Sequence, residues 1–140
     1  MEKTTILQAV GAPSASQEQL VTSVSYSAGL LSIMVQTHSP DDGEWEVAFK
    51  CPVGFRVLGE SDTPEFWHIS VDIIGDNQHA IVYEVTKGGW IDQQMPHSPI
   101  MAAGFYSQLK EYWVGGCADC VNVLSESPPA ISRRASMSAA

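Results

Sequence analysis

The chain has 140 residues, 44% of them apolar and 9% aromatic. That fits one domain with an ordinary core and excludes a disordered polymer or two domains of usual size. Seven basic residues against sixteen acidic ones leave a formal charge of −9, which excludes nucleic acid and anionic membrane surfaces as partners, because both depend on Lys and Arg to neutralise phosphate.

No window approaches the roughly 18 apolar residues of a membrane helix, and the N-terminus has neither the basic flank nor the apolar segment of a signal peptide. The expectation is a soluble, cytoplasmic protein. Three cysteines, Cys51, Cys117 and Cys120, are an odd number and too few for a disulfide scaffold, which fits a reducing compartment.

Residues 1–16 mix glycine, proline and small polar residues without a sustained period, and read as a flexible arm or a peripheral strand around 6–10. From Leu20 the pattern alternates. Leu20, Thr22, Val24 and Tyr26 form one row, and after Ser27, Ala28 and Gly29 a second run sets Leu31, Ile33 and Val35 on one face. This predicts a hairpin with a three-residue loop ending at Gly29, the residue best suited to a positive φ.

A breaker cluster over 37–43 precedes Trp45, Val47, Phe49 and Cys51, which alternate with Glu44, Glu46, Ala48 and Lys50. A strand follows, with its aromatic and aliphatic side chains inward and Glu44 and Glu46 outward. Pro52 and Gly54 predict a bend or bulge before the same parity resumes at Phe55 and Val57. Asp62, Pro64 and Glu65 suit one short helical turn. Ile69, Val71 and Ile73 face Ile81, Tyr83 and Val85 across the turn-like Gly75, Asp76 and Asn77, a second predicted hairpin.

Pro96 and Pro99 predict a surface loop, and 100–109 fits either a short helix or an irregular crossing. The runs 112–114 and 121–124 form a last hairpin. Pro128 and Pro129 then stop the pattern, and 128–140 reads as a disordered tail. The sum is a single β-rich domain over 17–127: mainly an antiparallel sheet of about seven short strands with one or two short helices, the alternative being α+β.

Cys117 and Cys120 form a C-x-x-C pair in a predicted hairpin turn. A zinc site needs four ligands, and the four histidines are unclustered. A thioredoxin-like pair belongs at the start of a helix in a βαβ setting. The cysteines therefore read as structural, and neither metal nor cofactor is expected. No Gly-x-Ser-x-Gly elbow and no sequence-visible partner for a histidine point to catalysis.

What stands out is charge. Between Glu18 and Glu126, four basic residues face fifteen acidic ones. Asp41, Asp42, Glu44 and Glu46 form one cluster and Glu60, Asp62 and Glu65 another. They are either a solvated face or a contact surface for a basic protein, with Trp90 and Trp113 as partly exposed aromatic anchors.

The run 53–62, then Glu65, Phe66 and Trp67, Tyr83 to Val85 with Gly88, Gly89 and Trp90, and finally 111–114 with 120–125 resemble small bacterial immunity proteins of polymorphic or contact-dependent toxin systems. The resemblance spans 53–125 and leaves the N-terminal third unmatched. It implies a cytoplasmic protein without enzymatic activity that neutralises one cognate toxin by binding it. The competing expectation is a small-molecule binder or small enzyme with a pocket between the sheet and the 90–110 loop, and a homodimer fits either.

Overall fold

An alternating row of Val, Ile, Leu and Phe gives a strand an apolar face, and two sheets of such strands leave water by closing on each other. The computed structural model describes residues 5–13, 19–37, 44–59, 71–74, 80–87, 89–91, 108–115 and 119–134. In chain order these contain β1 (Thr5–Pro13), β2 (Gln19–Ser27), β3 (Leu30–Thr37), β4 (Glu44–Lys50), β5 (Gly54–Gly59), β6 (Val71–Ile74), β7 (Ala80–Lys87), β8 (Lys110–Gly115), β9 (Asp119–Ser125) and β10 (Ala130–Arg134). A four-stranded sheet, β10-β4-β3-β2, stacks on a six-stranded sheet, β5-β9-β8-β7-β1-β6. The mainly antiparallel β architecture expected from the alternation is the one observed, with ten strands among the described residues in place of about seven.

One apolar layer joins the sheets. Leu31, Ile33 and Val35 of β3 and Val47 and Phe49 of β4 are fully buried against Tyr112, Val114, Val121 and Val123 of β8 and β9. The rings of Phe49 and Tyr112 meet at 5.4 Å in a tilted pair. Trp45 packs on the same layer from the end of β4. Each such side chain contributes about 1.5–3 kcal/mol by leaving water, and the parity read along β3 and β4 accounts for five of the twelve buried residues of this layer.

The β2–β3 connection is tighter than the sequence suggested. Only Ala28 and Gly29 lie between the strands, at φ of 52° and 80°. Positive φ at both central residues is the mark of a type I′ turn, whose twist matches that of the strands it joins. Ala28 bears a steric cost there that glycine does not.

The bend expected at Pro52 is where the chain changes sheets. Cys51 sits at φ 48° and its amide donates to the Gly29 carbonyl, closing the smaller sheet; two residues on, the Val53 amide donates to the Leu124 carbonyl of β9 in the larger one. Pro52, with no amide hydrogen, occupies the one position of the crossing that neither ladder has to satisfy.

Three pairings differ from the sequence reading. β6 and β7 are not a hairpin: β1 lies between them, parallel to β6 and antiparallel to β7. The N-terminal stretch expected to be loose or peripheral thus holds an inner strand. The stretch expected to be a disordered tail returns as β10, antiparallel to β4, with Ile131 packed on the core. A five-residue strand beyond two prolines carries too little alternation to announce itself. The short helix expected at 62–65 and the segment 92–107 lie outside the described residues. Among the described residues, no helix is long and apolar enough to cross a membrane.

Two outcomes test this account. Phe49→Ala is expected to lower unfolding free energy by about 3–5 kcal/mol, whereas Val57→Ala, at a position 46% exposed, changes it by less than about 0.5 kcal/mol; denaturant melts read both. Ala28→Asn, better suited to the left-handed position, is expected to raise stability by about 0.5–1 kcal/mol in the same measurement.

Candidate functional site

A sheet in a two-layer stack has a second face, and on the six-stranded sheet that outward face is built from residues of the opposite parity. Tyr83 and Val85 of β7, Trp113 of β8 and Cys120 of β9 are buried there with Leu58 of β5 against them. The Tyr83 and Trp113 rings lie 6.0 Å apart. Trp113, expected to be partly exposed, is 6% exposed. Its neighbours across the sheet are Tyr83 and Asn122.

Within the same face sits a buried polar relay. Glu111 is 1% exposed and Asn122 is fully buried. The Asn122 Nδ2 donates to Glu111 Oε2 at 2.9 Å, and the Ile91 amide donates to Glu111 Oε1 at 2.9 Å. Arg56 Nε donates to Asn122 Oδ1 at 3.4 Å, and its guanidinium carbon stands 4.9 Å from the centre of the Trp90 ring.

Arg56 only donates and an ionised Glu111 only accepts, so the amide of Asn122 has a single satisfactory orientation between them. The carboxylate holds the backbone at 90–91 as an N-cap acceptor would. Gly89 makes this approach possible: a Cβ there would stand 2.6 Å from Val85 Cγ1 and 2.7 Å from both Glu111 carboxylate oxygens.

Burial pushes the Glu111 carboxyl above its usual range, and the amides of Ile91 and Trp90, then Asn122 and Arg56, pull it back only in part. Beside this relay lies a groove of about 220 Å³ whose walls include Glu84, Thr86, Gly89, Ile91, Lys110 and Glu111. Lys110 Nζ lies 3.8 Å from Glu84 Oε1 at its rim.

Of the acidic residues singled out from the sequence, Glu44 and Glu46 lie on β4, on the outward face of the four-stranded sheet, each half-buried. Ser32 Oγ donates to Glu46 Oε2 at 2.7 Å. In register, Glu46 stands opposite Met34 and Ser132, and Glu44 opposite Gln36 and Arg134. Trp90 and Trp113 belong to the far face of the other sheet. The two glutamates and the two tryptophans are therefore separated by both sheets, some 10 Å of core between them, and do not share one contact surface. Asp41, Asp42, Glu60, Asp62 and Glu65 lie outside the described residues.

β10 also brings Arg133 and Arg134 back to the folded body. From Glu18 to Arg134 the balance is six basic residues against fifteen acidic ones. Cys117 lies outside the described residues, Cys120 is buried inside β9, and Cys51 is exposed at the sheet crossing. Among the described residues, no group of three or more His, Cys, Asp or Glu side chains is arranged to hold a metal ion.

Sequence reasoning passed over Glu111, Asn122 and Arg56. The signal was present: Glu111 shares the parity of Trp113, and Asn122 interrupts the apolar 121–124 run, both of which mark polar groups in line for burial. No family model, characterised protein or solved structure matches the chain.

The raised Glu111 pKa has a definite sign in stability. The folded state holds this proton more tightly than the unfolded one, so its favourable contribution is present below the ordinary value near 4.5 and is lost as pH rises through the raised folded value. Glu111→Gln is expected to remove that component of the pH dependence. Chemical denaturation across mildly acidic to neutral pH checks it: an unchanged slope would place the titration elsewhere.

Proposed function

We propose that this chain is an immunity-type inhibitor, a cytoplasmic, non-enzymatic protein that binds and neutralises a basic toxin domain in bacterial antagonism. The observation that carries the reading is Glu44 and Glu46 two residues apart on the outward face of the smaller sheet, in a chain of net charge −9. An acidic face speeds encounter with a cationic partner and sets its orientation, while neighbouring apolar surface supplies contact that excludes water. Met34, opposite Glu46 in register, is suited to that second role. The resemblance of short sequence blocks to immunity proteins supports the same reading.

A second reading, small-molecule binding, is favoured by one specific feature. The groove at the β7–β8 end of the larger sheet adjoins a buried carboxyl with a raised pKa, and concave sites with perturbed acids are where small ligands bind. Glu84 and Lys110 at its rim would offer a ligand one charge of each sign.

Co-expression with a toxin encoded beside this chain separates the two. The pair is expected to co-purify and to restore growth; failure of both removes the inhibitor reading in favour of the groove. With a toxin in hand, the Glu44→Gln, Glu46→Gln double variant is expected to slow association severalfold at low salt, with the difference shrinking as salt rises and dissociation little changed.

A further inference from the structure

The charges of this chain are segregated. Between Glu18 and Asp41 there is no Asp, Glu, Lys or Arg, and this stretch forms β2, its turn and β3. β2 is an edge strand, paired with β3 and, among the described residues, with no other strand. Open edges recruit further strands through their unpaired amides and carbonyls, and most proteins blunt them with lysine, proline or a strong bulge. β2 carries neither charge nor proline, and its irregularity between Val21 and Ser23 leaves 23–27 in regular register with β3.

The same flank gathers exposed apolar surface. Leu20 and Tyr26 of β2, Leu30 at the start of β3, and Val53 and Val57 beside and on β5 are 37–53% exposed. The Tyr26 ring lies 5.5 Å from that of Phe55 in β5, so the open edges of the two sheets run side by side. Val57 has the core-facing parity of Phe55, yet no described strand of the smaller sheet lies beyond β2 to cover it.

We propose that β2 is a self-association edge, at which 23–27 of one copy pairs antiparallel with 23–27 of a second copy about a twofold axis at Ser25. The faces dictate the register. Pairing with β3 puts Ser23, Ser25 and Ser27 opposite Met34, Ser32 and Leu30 on the outward side, and Val24 and Tyr26 opposite Ile33 and Leu31 on the core side. Centring the pair on Ser25 sets Val24 against Tyr26 of the partner subunit on the core side. On the outward side it sets Ser23 against Ser27 of the partner subunit.

Apolar then meets apolar and hydroxyl meets hydroxyl, without a slip that would turn either set to the wrong face. The contact is isologous and closes at two copies, joining the smaller sheets into one of eight strands. Charge selects this occupant. Two copies at −9 repel, and β2 and β3 are where they can approach without a charged side chain of either strand between them. A cationic protein is drawn instead to the acidic faces, so this interface stands independently of the inhibitor reading.

Sedimentation velocity of the full chain over a concentration series tests it. A dimer is expected, and its association strengthens with salt, because main-chain and apolar attraction persists while the opposing net charge is screened. Ser25→Lys sets two ammonium groups face to face at the axis and is expected to weaken the dimer about tenfold or more. Ser132→Lys, on the exposed far edge β10 of the same sheet, leaves it unchanged. A chain monomeric at every concentration and salt overturns the proposal, as does a dimer that Ser25→Lys does not weaken or that Ser132→Lys weakens equally.

Discussion

Two sheets can share a dry interface only if every strand reaching it turns the same parity inward, and that condition organises this molecule. Leu31, Ile33, Val35, Val47 and Phe49 satisfy it from one side, Tyr112, Val114, Val121 and Val123 from the other. The chain must also cross between the sheets without leaving unsatisfied backbone groups in the core. At 51–53 it does so in three residues: one amide closes the ladder behind, proline offers none, and the next amide opens the ladder ahead. The left-handed Cys51 is the local strain that so short a crossing requires, of the order of 1–3 kcal/mol.

The larger sheet carries the consequence of having a second apolar face. Trp113, Tyr83, Val85 and Cys120 need cover, and the segment at 89–91 supplies part of it by bringing its backbone down onto Glu111. A buried carboxylate is an expensive anchor, reflected in its raised pKa. It is tolerated because amide donors, Asn122 and the positive charge of Arg56 converge on it. Removing one member leaves another without its partner, so the relay acts as a unit and sets the orientation of a side-chain amide that has no freedom of its own.

The surface divides by charge in a way that composition alone conceals. A net −9 averaged over the whole chain suggests a uniformly acidic body, whereas β2 and β3 carry no charge. In the smaller sheet β4, with Glu44, Glu46 and Lys50, runs between this uncharged pair and the arginine-bearing β10. A protein built this way presents different chemistry to different partners: an electrostatic face that acts at a distance, and a neutral edge that acts only on contact.

Outside β1 and β10, the sequence by itself determined which residues are extended, and in β3 and β4 which side is apolar, because alternation at period two is a local property that survives any choice of neighbour. Leu31, Ile33 and Val35, the inward row of β4, the positive-φ glycine of the first hairpin and the break at Pro52 were all legible on that basis. Only the tertiary structure decided who pairs with whom. Nothing local tells that Thr5–Pro13 is inserted between Val71–Ile74 and Ala80–Lys87, that Ala130–Arg134 returns to the edge of β4, or that both Trp113 and Glu111 end up buried. Strand partners are set by contacts distant in sequence, and any strand with one apolar face is locally compatible with many neighbours. Which of them it meets follows from the single arrangement that buries all the faces at once.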